Sequence, residues 1–337
     1  MPRPLVHIGY HKTGTTWLQT HLFARADAGF IVPFDRKTTL NQVMVEPYPL
    51  AFDPAAARAA LRPEVDRLLD DGRIPVITSE SLSGEDASGG YQGKEMADRI
   101  QAVFPDANIL VVIREQRAII RSSYQMYLRG NGLVSLKHYL DPPRPPRAMP
   151  FFHLDYYKYD RLIAYYHRLF GRERVLALPY ELLVAQGGVF ADTIIRHAGA
   201  RPISNLPFDL RPKKSWPAFA VAMKRYMNPF VDRVVQNGYS PFCPDIRVRY
   251  VQNWAFRRIF NPLSPAWLDR LVDRRWRRII AARVAGYYAD SNRATGQLIG
   301  YDLAALGYEV AGVPEAQPQA AKAGRRAAPA SAAAGAD

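Results

Sequence analysis

The amino-acid sequence predicts an α/β fold of three layers, in which helices flank a central parallel sheet and extra helices follow toward the C-terminus. Two features of the pattern lead to this prediction. Short apolar segments alternate with helical periodicity through the first third of the chain, as they do in βαβ units. These apolar segments contain few polar residues, which indicates strands that are covered on both faces.

The elements follow in order from this pattern. Strands are expected at residues 5–8, 30–34, 75–78, 109–113 and 174–178, and helices at residues 15–24, 55–70, 94–103 and 117–129. Ligands of such sheets bind beyond the carboxyl ends of the strands, so the residues just after each strand are the first candidates for a site. These are Gly9 and the residues after it, residues 79–81, Arg114, and Pro179 with Tyr180.

The later part of the chain differs in composition. Residues 211–290 are helical in pattern and rich in arginine, with four tryptophans spread through them. We expect these helices to pack on the sheet, so that residues 1–312 form one domain. Residues 313–337 are rich in Ala, Pro and Gly and have almost no large apolar side chains. Such a segment buries too little surface to offset the entropy of ordering it, so a disordered tail is predicted.

Composition limits the classes of protein. The chain has 337 residues, 48% of them apolar, which is ample for a core and excludes a small disulfide-stapled protein. Lys and Arg number 45 against 31 Asp and Glu, and this net charge of +14 favours anionic partners. With Cys243 as the single cysteine, no intrachain disulfide forms. Neither a signal peptide nor ~18 consecutive apolar residues is found, so a cytoplasmic protein is expected.

The strongest local motif is the segment from Gly9 to Trp17, GYHKTGTTW, which follows the first strand. A strand that leads through a glycine turn into a helix aims unpaired backbone N–H groups at one point, which creates an anion site. In nucleotide triphosphatases the loop reads G-x-x-x-x-G-K-[ST]. Here Gly9 and Gly14 have that separation, but Thr15 occupies the lysine position and Lys12 lies inside the turn.

The magnesium site of those enzymes is also missing from the pattern. Their aspartate would follow the strand at residues 109–113, where this chain has Arg114. The motif therefore predicts a site for an anion without a metal ion, an arrangement suited to a monoanionic sulfuryl group.

The segment KTGTTW resembles the 5′-phosphosulfate loop of sulfotransferases that use 3′-phosphoadenosine 5′-phosphosulfate (PAPS). The resemblance implies a P-loop-like fold. It also implies that Lys12 contacts the transferring group, that the glycine and threonines hold the 5′-phosphate, and that the tryptophan lies against the adenine. The positions concerned are Lys12, Thr13, Gly14, Thr15, Thr16 and Trp17.

A second motif follows the fourth strand. Arg114 stands at the strand end and Ser122 eight residues later, on the next helix, so a guanidinium and a hydroxyl can converge on one phosphate. The family places its 3′-phosphate contacts at this spacing. The alternative is an arginine paired with Glu115 or Glu80 and a serine on the helix surface. Tyr180, in the YELL segment after the fifth strand, resembles the family's adenine-contacting tyrosine, with core packing as the alternative.

Sulfuryl transfer to an alcohol needs a general base near the attacking oxygen. Glu80 follows the third strand between two serines and is the first candidate, while His11, beside Lys12, is the alternative. Several glycan-modifying members of the family have a glutamate where animal cytosolic members have a histidine, so this chain resembles the glycan type. Both Lys213 and Ser215 stand where the family closes over the nucleotide, but the family's R-K-G signature is absent, which leaves their role open.

The sequence therefore predicts a PAPS-dependent sulfotransferase that yields adenosine 3′,5′-bisphosphate and modifies a hydroxyl acceptor, expected to be a carbohydrate or glycolipid. One alternative is a nucleotide-dependent kinase on the related phosphate-loop fold. Another is a non-catalytic protein that binds nucleic acid or another polyanion, but no recognition motif for nucleic acid is present. The arginine-rich run at 273–278, continuing to Arg283, is either a solvated helix face or a surface that attracts an anionic glycan or membrane.

Overall fold

The computed structural model describes residues 2–85, 89–142, 149–208, 216–230 and 246–311. The predictions for Lys213, Ser215 and the tail at 313–337 lie outside these residues. The predicted division at residue 312 stays a prediction for the same reason.

Five parallel strands form one sheet in the order β2-β3-β1-β4-β5. The strands are β1 (Leu5–His7), β2 (Phe30–Ile31), β3 (Ile74–Thr78), β4 (Asn108–Ile113) and β5 (Val175–Pro179). In register, Val6 of β1 lies opposite Ile77 of β3 and Ile109 of β4. All five strands lie within a few residues of their predicted positions. The second is shorter than predicted because Pro33, which lacks an N–H donor, follows it closely.

Helices cover both faces of the sheet, which confirms the three-layer fold. Alternate residues of β4 pack into different clusters: Val111 joins one core and Leu110 the other, and both side chains are fully buried. The helices are α1 (Thr15–Trp17), α2 (Pro54–Asp70), α3 (Gly93–Val103), α4 (Gln116–Arg129), α5 (Leu136–Leu140), α6 (Tyr159–Phe170), α7 (Tyr180–Ala185), α8 (Gly187–Ala198), α9 (Ala218–Met227), α10 (Ile246–Ala255), α11 (Ala266–Val284) and α12 (Ala289–Ile299).

The predicted helices are confirmed, with local differences at their ends. Side-chain caps set two of the starts: Asp53 accepts a hydrogen bond from the Ala55 amide at 2.8 Å, and Glu115 accepts from those of Arg117 and Ala118. The helix predicted at 15–24 is α-helical only through α1 and continues as the π-helical turn Leu18–Leu22. Sequence reasoning missed the short helix α5 and, after β5, the helices α7 and α8.

The later helices extend one side of the sheet domain. Trp276 and Ile280 of α11 and Val221 of α9 belong to the same buried cluster as α4. These helices therefore pack on the sheet domain. Within the described ranges, no helix combines the length and the apolar composition that crossing a membrane requires.

Candidate functional site

The loop after β1 has a backbone that few residues tolerate. Lys12 adopts a left-handed conformation with φ 68°, and Gly14 follows with φ 88°. A Cβ atom at Gly14 would lie 3.0 Å from Leu183 and 3.2 Å from the Tyr180 ring. The side chain of Thr13 closes the loop by donating a hydrogen bond to the Tyr10 carbonyl at 2.5 Å. The glycine thus serves a tight turn packed directly against α7, as the motif predicts.

The threonines after the glycine differ in their surroundings. Thr15 is buried, and its Oγ1 makes no hydrogen bond within the described part of the chain. A buried hydroxyl without a partner is costly in a folded protein, so it marks a position where a bound polar group fits. Thr16 is exposed at the start of α1. Neither arrangement conflicts with a phosphate held at this turn.

Arg114 joins the end of β4 to the loop after β1. Its Nη1 donates to the Lys12 carbonyl at 2.8 Å, and its guanidinium carbon lies 4.8 Å from the centre of the Tyr180 ring. Nε is buried and makes no hydrogen bond to any described residue. No ion pair joins Arg114 to a carboxylate among those residues, and Glu115 instead caps α4. The guanidinium therefore retains donors for an anion.

The other two predicted nucleotide contacts, Ser122 and Trp17, lie on α4 and α1. Ser122 is half-buried on α4, and no hydrogen bond links its hydroxyl to another described residue. Trp17 is buried, and its Nε1 donates a hydrogen bond to the Pro207 carbonyl at 2.8 Å. Its ring stacks on that of Phe208, with 5.6 Å between the ring centroids. The structure brings together Lys12, Gly14, Arg114 and Tyr180. The roles of these four residues, like those of Ser122 and Trp17, stay predictions.

The two candidate bases lie side by side. Nδ1 of His11 is 3.8 Å from Oε2 of Glu80, and its Nε2 is 3.5 Å from Oε1 of Glu85. A short 3₁₀ turn, Glu80–Ser83, carries Glu80, and Ser79 caps the turn by accepting from the Ser81 amide at 3.3 Å. Sequence reasoning missed Glu85, whose only signal is its position five residues after Glu80.

A buried histidine under the loop was also missed. His7 Nδ1 lies 2.9 Å from Oγ1 of Thr78, and Gln19 donates to the same hydroxyl at 3.2 Å. This hydroxyl can accept from Gln19 and still either donate to Nδ1 or accept from it, because a hydroxyl has one donor and two acceptor sites. The other ring nitrogen, Nε2, is buried and makes no hydrogen bond to a described residue. A Cβ at Gly9 would lie 2.5 Å from that Nε2. Burial lowers the pKa of His7 to about 3, so the ring is neutral.

A cavity of about 310 Å³ adjoins the loop and the 3₁₀ turn. Tyr10 and Ser83 line its inner end, and α3, α6 and the 3₁₀ turn Leu154–Tyr157 form its walls. The walls carry aromatic and basic side chains, namely Tyr156, Tyr165, Lys94, Lys158, Arg161 and Arg168. Asp155 accepts from Lys158 at 2.8 Å and from Arg161 at 3.0 Å, which holds these two cations at the rim.

The fold defines a parallel α/β protein, and its glycine loop lies at the carboxyl ends of the strands, where such sheets bind ligands. Residues 94–202 match the model of the sulfotransferase family, a segment that contains Arg114, Ser122 and Tyr180 but neither Lys12 nor Glu80. This match confirms the resemblance to sulfotransferases expected from the sequence. Among curated proteins, none matches the sequence.

One solved structure gives the same picture at the level of the fold. A crystal structure of a sulfotransferase from Alicyclobacillus acidocaldarius is similar, with TM-score 0.51 and 15% identity over 91% of this chain and 99% of that one. The sulfotransferase domain from the curacin biosynthetic pathway matches with TM-score 0.38 and 16% identity, over 64% of this chain and 78% of that one. The former supports the P-loop-like fold.

Proposed function

We propose that this chain transfers a sulfuryl group from PAPS to a hydroxyl acceptor. The family match supports sulfuryl transfer in general. The specific donor rests on the loop from Lys12 to Trp17 together with Arg114. One observation carries the proposal: the Arg114 guanidinium contacts the Lys12 carbonyl at 2.8 Å while its buried Nε makes no hydrogen bond to another described residue.

In this proposal the two ends of the donor nucleotide lie on two motifs. The 5′-phosphosulfate lies on the loop, where the Lys12 ammonium and the buried Thr15 hydroxyl face anionic oxygens. The 3′-phosphate lies on Arg114, whose fork suits a phosphate, with Ser122 as a second donor. The adenine lies near Tyr180 or Trp17. Both the acceptor and the donor are substrates, and no role is assigned to a metal ion.

The reaction is an in-line displacement at sulfur. The acceptor oxygen forms a new S–O bond as the bond between sulfur and the bridging oxygen of the 5′-phosphate breaks. Adenosine 3′,5′-bisphosphate leaves with the bonding electron pair, and the acceptor proton passes to the general base. Lys12 stabilises the charge that develops on the bridging oxygen, which is the kind of preorganised electrostatic effect that contributes most in many enzymes.

Glu80 is the general base in this proposal, and His11 is its positioning partner. The 3.8 Å separation of His11 Nδ1 from Glu80 Oε2 allows the imidazole to orient the carboxylate. Glu80→Gln removes the proton acceptor and should lower kcat by about 100-fold or more. His11→Asn should lower kcat less and move the pH profile. A reversed order of the two effects would assign the base to His11.

The acceptor is proposed to be a carbohydrate or the sugar of a glycolipid. The cavity beside the loop supports this class because sugars stack on tyrosine rings and their oxygens accept hydrogen bonds from cationic side chains. Tyr156 and Tyr165 supply such rings, and Lys94 and Arg161 supply cations for an acidic sugar. This assignment is tested by screening neutral and acidic saccharides with donor labelled in its sulfuryl group.

Donor binding is tested by thermal shift and calorimetry. Adenosine 3′,5′-bisphosphate should stabilise the chain more than AMP or ATP with magnesium. Lys12→Ala should lower kcat strongly with little effect on bisphosphate affinity, and Lys137→Ala, an exposed lysine on α5, is the matched control. Near-normal turnover in Lys12→Ala would refute the mechanism. Loss of turnover on adding EDTA would favour the kinase alternative.

A further inference from the structure

Exposed apolar side chains are concentrated on one part of the later helices. Eleven of the nineteen large apolar side chains that are exposed in the described part of the chain lie between Met223 and Leu271. They come from α9, α10, the π-helical turn Phe256–Phe260, the residue Leu263 and the first half of α11. Soluble proteins usually expose such side chains singly, so this concentration marks an interaction surface. We call it the α9–α11 surface.

Helical spacing puts the exposed side chains on one face of each helix. Met223, Tyr226 and Met227 of α9 are three and four residues apart, and so are Tyr250, Val251 and Trp254 of α10, in which the indole is 59% exposed. On α11, Trp267 and Leu271 are one turn apart, and Trp267 is 58% exposed. Each helix thus presents an exposed apolar stripe.

Arginines continue the stripe of α11. Arg274 and Arg278 follow Leu271 at three and seven residues, on the same face, and Arg275 lies beside them. The four side chains line, with Val272, a surface depression of about 420 Å³. One helix therefore carries an apolar half and a basic half on a single exposed face.

In the described part of the chain, Arg270, Arg274, Arg275 and Arg278 form no ion pair. The two acidic residues of α11 face other partners: Asp269 accepts from the Phe219 amide at 3.2 Å, and Asp273 pairs with Arg121 and Arg277. The basic half of the surface is therefore available to an external anion.

The faces of α9 and α11 join across a groove of about 460 Å³. Met223 and Tyr226 line one wall, Arg275 and Ile279 line the other, and Lys137 of α5 closes one end. Apolar and cationic side chains thus form one continuous surface made by several helices, rather than a stripe on one helix.

We propose that the α9–α11 surface binds the interface of an anionic phospholipid bilayer. Tryptophan and tyrosine favour the boundary between acyl chains and headgroups, and arginines extend from an apolar surface to reach anionic headgroups. A second copy of the chain fits less well, because a two-fold contact would place unpaired arginines of one protomer against those of the other. A nucleic acid would gain nothing from the exposed Met, Val and Leu side chains.

The test uses the full chain and vesicles, without nucleotide, so its outcome is independent of the proposed function. Co-sedimentation should show binding to vesicles of equimolar phosphatidylglycerol and phosphatidylcholine, and weak binding to phosphatidylcholine alone. The triple variant R274Q/R275Q/R278Q should lower the partition coefficient about 100-fold, since each basic residue contributes about 1 kcal/mol near an anionic surface. Trp267→Ser with Leu271→Ser should lower it at least about tenfold.

A matched control separates this surface from the net charge. R67Q/R196Q/R293Q removes the same charge from α2, α8 and α12, and its partition coefficient should stay within about threefold of the wild type. Circular dichroism checks the fold of every variant. An equal fall of the partition coefficient in the control variant, or equal binding of the wild type to anionic and neutral vesicles, would overturn the proposal. So would a dimer in vesicle-free solution that W267S/L271S converts to monomer, since the surface would then join two copies.

Discussion

Replacing Arg114 by Lys tests whether a guanidinium fork is needed at the end of β4. Lysine keeps the charge but cannot donate to the Lys12 carbonyl, stack over Tyr180 and offer two parallel donors to a phosphate at once. The lost hydrogen bond from a charged donor costs about 1.5–3 kcal/mol, and the weaker cation–π contact about 0.5–1 kcal/mol. With partial compensation by the lysine, the free energy of unfolding should fall by about 2 kcal/mol.

The effect on the ligand is the sharper measurement. Loss of a bidentate phosphate contact should lower the affinity for adenosine 3′,5′-bisphosphate, measured by calorimetry, by about 10–100-fold. The affinity for AMP should fall by much less. Arg117→Lys is the matched control, because Arg117 lies three residues away on α4 and pairs with Glu309 at 2.8 Å. An equal loss of affinity for both nucleotides would refute the assignment of Arg114 to the 3′-phosphate. Unchanged affinity with lowered stability would leave it a structural residue.

Three further changes test the fold around the site, each by urea unfolding. Gly14→Ala should lower the free energy of unfolding by about 2–4 kcal/mol, because φ is 88° and the new Cβ would lie 3.0 Å from Leu183. The control Gly72→Ala, at φ 69° with open space around the new Cβ, should lower it by about 1–2 kcal/mol. Burial lowers the pKa of His7 from 6.5 to about 3, so the unfolded chain binds more protons than the folded chain between these values. The free energy of unfolding should therefore fall as the pH drops below 6.5, and it should fall less steeply in His7→Gln. Lys224 is fully buried and donates to three oxygen acceptors, and burial lowers its pKa from 10.5 to about 7. The unfolded chain therefore binds more protons between these values, so the free energy of unfolding should rise from pH 7 toward 9.5. Lys224→Met should flatten that rise.

The sequence was sufficient for the strands and most helices because their signals are local. β4 reads as a continuous apolar segment, and the caps Asp53 and Glu115 precede their helices directly. The order of the strands could not be predicted, since it depends on which buried edges pair over long separations. The short helix α5 was not predicted because five residues show too little periodicity to detect.

The candidate site was predictable in its residues but not in its contacts. Strand-end position alone indicated that Lys12 and Arg114 face one crevice, as contacts for opposite ends of one nucleotide, yet no pattern shows that Arg114 contacts the Lys12 carbonyl. The stacking of Trp17 on Phe208 joins residues 191 positions apart, which local reasoning cannot foresee. His7 was missed because a histidine inside an apolar strand has no motif, although a polar residue there is itself a signal.

The strand order explains where in the sheet the Arg114 contact lies. The chain leaves β1 toward β2 at one edge of the sheet and leaves β4 toward β5 at the other, so the crevice between β1 and β4 is a topological switch point. The hydrogen bond from Arg114 to Lys12 spans that crevice through a backbone carbonyl, which the Lys12 side chain does not affect. Lys12→Ala and Arg114→Lys should therefore act independently, with free-energy effects on bisphosphate binding that add to within about 0.5 kcal/mol in a double-mutant cycle. A larger coupling would mean that the lysine ammonium and the guanidinium share one phosphate, and the assignment of the two ends of the nucleotide to separate motifs would be wrong.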